Sequence, residues 1–433
     1  MARPVNDPTS TLNPNVRGMG QSATVAINQH SNELLAQGRE VFKLGLGQSP
    51  FPVPDSVVEA LRENAHQKAY LDVAGLRELR ETVAAYHHRA SGCAAGGEDV
   101  LVGPGSKELM FLLQLAYDGD LLIPSPAWVS YVPQARIIGR RVRTIHTDAS
   151  SRWNISAAQL EAHCADEPER PRILILNYPN NPTGLTYTTE ELEALARVAQ
   201  RHGVVLLSDE IYGETHHRGL HESIARWYPE GTIISSGLSK WCGAGGWRLG
   251  TFTFPEQLRW LRQAMTSVAS ETYTSTSAPI QYAAVRAFRG GADIEAYLEA
   301  SRKVLAALGN RIASRLNDAE IATHPPEGGF YLFPDFGSLR EPLLRRGIGD
   351  SAELCRRALG ETGVAFLPGS DFGRPVEELT ARLAYVDFDG GAALEGVSRL
   401  GPDDTITAGF LQEYCPRVTT AVERLCDWAV APG

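Results

Sequence analysis

The chain has 433 residues, 43% of them hydrophobic, enough to bury two cores or one large core with a smaller satellite. A formal net charge of −10, with no basic cluster to offset it, argues against binding nucleic acid. No apolar run approaches the ~20 residues that span a bilayer, no apolar leader opens the chain, and six cysteines (Cys93, Cys164, Cys242, Cys355, Cys415, Cys426) without CxxC or ligand-like spacing read as reduced thiols of a cytoplasmic protein.

In chain order, residues 1–22 read as a flexible or partner-clasping arm. A helix over about 23–37 leads to a short strand, Val41-Phe42-Lys43-Leu44, and a Gly/Pro turn through Gly45, Gly47 and Pro50 where backbone can approach a ligand closely. Helices are expected over 54–65 and from Tyr70 to about His88.

From Asp99 the grain is α/β. Val100-Leu101-Val102 is a buried strand, and Gly103-Pro104-Gly105-Ser106-Lys107 turns into an apolar helix, 109–116. Leu121-Leu122-Ile123 is the next strand and ends at Pro124-Ser125-Pro126-Ala127-Trp128. Ile173–Leu176 runs into Asn177-Tyr178-Pro179-Asn180-Asn181-Pro182-Thr183-Gly184. A helix follows, with Thr188 and Glu191 in capping-box spacing, Leu192, Leu195, Ala196 and Ala199 at helical period, and Gly203 as its stop. Val204–Leu207 is a strand ending at Ser208-Asp209-Glu210-Ile211-Tyr212, and Thr232-Ile233-Ile234 is another apolar run.

Continuous apolar strands alternating with helices describe a parallel sheet covered on both faces. Ligands of such sheets sit at the carboxyl ends of the strands, where these polar residues stand. A long helix over about 294–316 carries the chain out of this domain. Beyond it, Gly328–Phe333 and Arg382–Val386 read as strands of a smaller α+β domain. Gly390 to about Gln412 is extra length before a final helix. It has two readings, a cover over the substrate entrance or surface decoration, and decoration is preferred.

The chemistry centres on the stretch from Ser235 to Gly250. Lys240 stands there among small and apolar residues, with glycines after it and Arg248 eight residues on. An amine in a crowded, desolvated pocket has a depressed pKa and becomes a nucleophile able to form a Schiff base. Arg248 is suited to clamp a phosphate, and Ser106 and Lys107 open a helix whose N-terminus favours an anion. The competing reading is a Gly-rich surface loop with an incidental lysine and arginine. Gly103-Pro104-Gly105 lacks the third glycine of a dinucleotide fingerprint, which ranks a dehydrogenase well below.

The run from Gly237 to Gly250 resembles, at every specified position, the pyridoxal-phosphate lysine signature of the class I/II aminotransferases, and the likeness extends from about residue 25 to the C-terminus. It implies an aspartate aminotransferase-like α/β fold of type I: a large domain with a mostly parallel seven-stranded sheet, and a smaller α+β domain. The divisions expected are an arm (1–22), an N-terminal part of the small domain (23–60), a large cofactor-binding domain (61–300) and the C-terminal small domain (301–433).

On that likeness Lys240 matches the lysine that bonds pyridoxal 5'-phosphate and shuttles the substrate's proton. Asp209 matches the carboxylate paired with the pyridine nitrogen, which makes the ring an electron sink; a helix cap is the competing reading. Tyr212 and Asn181 match the residues that contact the cofactor's phenolic oxygen, and Trp128 the aromatic stacked on its ring; a buried core tryptophan competes for the last. Tyr70 matches the tyrosine reaching the phosphate of the neighbouring subunit, which implies a homodimer with shared active sites. Arg382 matches the arginine gripping the substrate's α-carboxylate, and Gly47 a glycine lining the substrate side.

Two features depart from the pattern. Many relatives carry a phosphate-binding serine where this chain has Gly237, with Ser236 or Ser239 as possible substitutes, and no second arginine for a side-chain carboxylate can be placed. His216, His217 and His221 lack an accompanying ligand set, so no metal is expected. The expected reaction is transfer of the amino group of an L-amino acid to a 2-oxo acid. The alternative is a lyase, synthase or cyclase on the same scaffold, for example one acting on S-adenosylmethionine. A sensing regulator of this fold would need a DNA-binding domain for which residues 1–22 leave no room.

Overall fold

A computed structural model describes residues 11–401 and 404–431. Helix α1 (Ala23–Ala36) precedes strand β1 (Phe42–Lys43) and helices α2 (Asp55–Asn64) and α3 (Arg77–Ser91). The α/β part runs β2 (Val100–Gly103), α4 (Ser106–Ala116), β3 (Asp120–Ser125), α5 (Tyr131–Ile138), β4 (Val142–His146), α6 (Ala157–Ala165), β5 (Arg172–Asn177), α7 (Thr189–Arg201), β6 (Val205–Asp209), β7 (Thr232–Gly237) and β8 (Gly250–Thr253). Helices α8 (Arg259–Ser270), α9 (Ala278–Arg289) and α10 (Ala292–Asp318) follow. The remainder is β9 (Tyr331–Leu332), α11 (Arg340–Arg345), α12 (Ser351–Thr362), β10 (Val364–Ala365), β11 (Leu367–Pro368), β12 (Ala381–Ala384), α13 (Gly390–Ser398), α14 (Ala408–Tyr414) and α15 (Pro416–Val430).

Seven strands form one sheet in the order β2-β8-β7-β6-β5-β3-β4. Strands β3 to β7 are parallel to their neighbours among themselves, and β8 runs antiparallel to both β7 and β2. The connection from β7 to β8, residues 238–249, holds one 3-10 turn and no packed helix, and it returns the chain antiparallel. Alternate strand residues go to opposite faces. Leu121, Ile123, Ile173, Ile175 and Leu207 pack with α4 and α8, while Leu122, Leu174, Leu176 and Leu206 pack with α6 and α7. Both faces are therefore covered, which is why these strands read as unbroken apolar runs. Helix α7 begins with the expected capping box: the Glu191 N–H donates to Thr188 Oγ1 at 3.3 Å and the Thr188 N–H to the Glu191 carboxylate at 2.8 Å.

The smaller part holds the antiparallel sheet β11-β12-β9, and β1 pairs in parallel with β10, so the chain before the turn at Gly47 joins the C-terminal part. The boundary expected at residue 60 falls inside α2, and α2 packs along α9 of the larger part. Helix α10, 27 residues long, spans the boundary expected at 300 and packs on α13 and α15.

Two further expectations are corrected, and a third is described only in part. The helix foreseen from Tyr70 begins only at Arg77, because residues 74–76 bond elsewhere: the Ala74 carbonyl accepts from Val102 of β2, and the Leu76 N–H donates to Gln281 of α9 at 2.7 Å. Of the flexible arm, residues 1–10 lie outside the described residues, whereas Asn15 is tied to the Ile137 carbonyl at 3.1 Å. The stretch 390–412 is more than decoration. Ala393, Phe410 and Leu411 are buried in the smaller part's core, and a Cβ on Gly390 would lie 2.3 Å from the Pro50 carbonyl oxygen, so this segment backs the turn that carries Gly47. Among the described residues no helix is long and apolar enough to cross a membrane.

Candidate active site

The parallel strands end on one side of the sheet, and the polar residues collect there. Strand β2 leads to Ser106 and Lys107, β3 to Trp128, β5 to Asn181, β6 to Asp209 and Tyr212, and β7 to Lys240. Because β8 is reversed, Arg248 enters it from the same side.

Glycines bring these ends close. Gly250 stands between Gly103 and Gly237 in register, and a Cβ on Gly250 would lie 2.1 Å from the Ser106 backbone nitrogen. A Cβ on Gly105 (φ +91°) would lie 2.3 Å from Nη2 of Arg248. The guanidinium thus sits directly over the N-terminus of α4, where backbone N–H groups lack helical partners. Lys107 is near; its amine lies 5.0 Å from the Trp128 ring centre, and burial, then Arg248, lower its pKa. The set joins two cations to a helix N-terminus, an arrangement suited to an anion.

Gly237 also explains the missing serine. A Cβ there would lie 2.7 Å from the Leu249 carbonyl oxygen, so the close β7–β8 approach excludes a side chain. We expect Gly237→Ser to lower stability by roughly 1–3 kcal/mol rather than to improve phosphate binding. Denaturant unfolding of the variant checks this, and wild-type stability would refute the tight approach.

Lys240 is half-buried, and its amine donates to the Gly47 carbonyl at 2.7 Å. Burial, aided by Arg382 and Arg248, lowers its pKa to about 7. Its Nζ also lies 5.5 Å from the ring centre of Tyr212 and 5.9 Å from that of Phe330. Asp209 is more fully enclosed: burial raises its pKa to about 6, opposed by a 2.5 Å hydrogen bond from the Tyr131 hydroxyl and a longer one, 3.4 Å, from Ser235. Trp128 meets Tyr131 edge-on at 5.3 Å.

Arg382 is 1% exposed and donates to Asn181 Oδ1 at 3.0 Å and to the Gly45 carbonyl. Among the described residues its Nε has no hydrogen-bond partner. A Cβ on Gly47 would lie 1.9 Å from the Tyr331 hydroxyl, so that residue must lack a side chain. Tyr70 is the one expected site residue that stands apart, on the loop before α3 and 90% exposed in the single chain.

Sequence reasoning passed over Tyr131, Phe330 and Tyr331. Tyr131 was visible three residues after Trp128, and Phe330-Tyr331 lay inside a run read only as a strand. The three histidines serve the loop after Tyr212: His221 pairs with Glu210 at 2.9 Å, His217 lies between the Pro326 and Gly329 carbonyls, and His216 accepts from the Arg218 and Leu220 N–H groups.

The donor set fits pyridoxal phosphate: a cationic cradle at a helix N-terminus, a buried carboxylate for a protonated ring nitrogen, a phenol, an aromatic plate and a desolvated amine. Fold and site together define a fold-type I enzyme of that cofactor. The family model "Aminotransferase class I and II" matches residues 39–385. The aspartate aminotransferase of Geobacillus stearothermophilus is 35% identical over 383 residues, covering 86% of this chain and 93% of its own. The asparagine–oxo-acid transaminase of Streptococcus mutans is 31% identical over 386 residues, covering 86% and 94%. The solved structure of Thermus thermophilus aspartate aminotransferase with maleate superposes with a TM-score of 0.82 at 30% identity, over 96% of this chain and 98% of that one. The chain belongs to the class I and II aminotransferases. It is a pyridoxal-phosphate enzyme that moves an amino group between an amino acid and a 2-oxo acid.

Proposed function

We propose that the reaction runs at the sheet end just described, with Lys240 as its proton carrier and an aspartate- or asparagine-like amino acid as donor. Bound pyridoxal phosphate supplies an aldehyde that takes up the amino group and a ring that draws electrons from the substrate's Cα. The chain's residues do the rest. Lys240 Nζ, substantially neutral near pH 7, accepts the Cα proton and returns it. Asp209 presents a carboxylate to the ring nitrogen, and the Tyr131 hydroxyl holds its charge in place. Arg248, Ser106 and Lys107 fix the phosphate end, while Trp128 covers the ring and Tyr212 and Asn181 address its phenolic oxygen. Arg382 pairs with the substrate's α-carboxylate beside Gly47, and Phe330 and Tyr331 wall the pocket from water.

The observation that carries this reading is the convergence of a desolvated amine, a buried carboxylate and an anion cradle on one edge of the sheet. The donor class rests on the names of the relatives, since the sequence does not place a second arginine for a side-chain carboxylate. The exposed Tyr70 supports a homodimer in which each subunit completes its partner's phosphate site. Free cysteines, five of them buried, support a cytoplasmic setting. The packing supports a cofactor domain from about residue 55 to the middle of α10.

The test is a set of single-turnover half-reactions of the holoenzyme, followed by cofactor absorbance. We expect aspartate or asparagine to bleach the visible band and oxaloacetate to restore it. A band bleached only by other amino acids would overturn the donor class, and bleaching that no 2-oxo acid reverses would revive the lyase reading.

A further inference from the structure

Tyr331 is buried on β9, with 1% of its surface exposed, and its hydroxyl oxygen lies 2.7 Å from that of Tyr212. The two residues are 119 positions apart, and their rings meet edge-on at 5.5 Å. Among the described residues this contact is the one hydrogen bond either hydroxyl makes. The space for it exists because residue 47 is glycine. The guanidinium of Arg382 on β12 lies 4.8 Å from the Tyr331 ring centre, and Phe330 packs against the ring at 4.8 Å.

Two phenols sharing one hydrogen bond have a direction. Whichever donates spends its proton on the other, and the acceptor keeps its own proton for a third group. Burial raises both phenols; at Tyr331 the Arg382 guanidinium against the ring opposes that rise next after burial, whereas at Tyr212 the contact with Tyr331 adds to it, which makes Tyr331 the better donor. We propose that Tyr331 is a positioning residue: it donates to the Tyr212 oxygen, so that the Tyr212 proton is aimed at the cofactor's phenolic oxygen. A donor that also accepts is polarised and becomes a stronger donor. The charged groups facing the pair are Arg382 behind Tyr331, Lys240 beside Tyr212, and Asp209 on β6. This inference rests on the assignment of Tyr212 to the cofactor oxygen.

The test is a double-variant cycle on the holoenzyme, read as the midpoint pH of the cofactor's visible absorption change, with kcat/KM alongside. Tyr331→Phe keeps the ring and its packing, and thermal unfolding confirms that the fold is retained. Expected is a midpoint shift in the same direction as that of Tyr212→Phe, by roughly half a pH unit to one unit. In the Tyr212→Phe background, Tyr331→Phe should add nothing. If Tyr212→Phe moves the midpoint and Tyr331→Phe does not, or if the Tyr331 shift survives undiminished in that background, the proposal is overturned. A wild-type midpoint in Tyr212→Phe refutes the assignment of Tyr212 itself, and the proposal with it.

Discussion

Lys240→Ala is expected to lower amino transfer by at least about a thousandfold, since it removes both the covalent anchor and the positioned base. The fold should survive, because the amine makes one described hydrogen bond, to the Gly47 carbonyl. A pH signature separates this lysine from an ordinary one. The neutral amine is the nucleophile, and burial lowers the pKa of Lys240 to about 7. Loading of pyridoxal phosphate into cofactor-free protein should therefore accelerate as pH rises through about 7 and level off above it. A surface lysine, with a pKa of about 10.4, would keep gaining roughly tenfold per unit well past that point. Stopped-flow absorbance across roughly pH 5–9 makes the measurement; retained activity in Lys240→Ala, or a loading rate still climbing at the upper end of that range, would refute the role.

Arg382→Met should lower kcat/KM by about a hundredfold to a thousandfold, since a charge-assisted bidentate pair with the substrate carboxylate is lost. The loss should fall mainly on KM. The same change should raise rather than lower the thermal stability of the cofactor-free protein. The guanidinium is 1% exposed, its described partners are neutral oxygens of Gly45 and Asn181, and Nε has none. No carboxylate hydrogen-bonds this buried cation, and Asp371 with the Tyr331 and Phe372 rings offsets its desolvation only in part; an apolar side chain of similar length removes that cost. Arg382→Lys should not rescue binding, because an ammonium cannot reproduce the planar fork. Calorimetry and steady-state kinetics on both variants check the two halves, and a large drop in melting temperature for Arg382→Met would make Arg382 a structural strut instead.

Residues whose roles depend on neighbours in sequence were readable from the chain. Lys240, Asp209, Asn181, Ser106 and Lys107 each follow an apolar run, and a parallel sheet delivers strand ends to one edge whatever the rest of the fold does. Strand type was legible because burial on both faces suppresses alternation, and the start of α7 because its cap is local. Helices α8 and α9 were passed over, since their apolar faces acquire meaning only against β8 and α2. The start of α3 depended on bonds from residues 74–76 to β2 and α9, which no local pattern announces.

What the chain by itself determined is the family and the cofactor, because the motif that points to them resides in contiguous residues. What only the tertiary structure decided is how those groups are tuned. The Tyr131 hydroxyl on Asp209, the Tyr331 hydroxyl on Tyr212, and the glycines that let β8 and α4 touch are contacts between distant segments. Their energies come from burial and from distances of a few ångströms, which arise only when the two parts of the molecule are packed together.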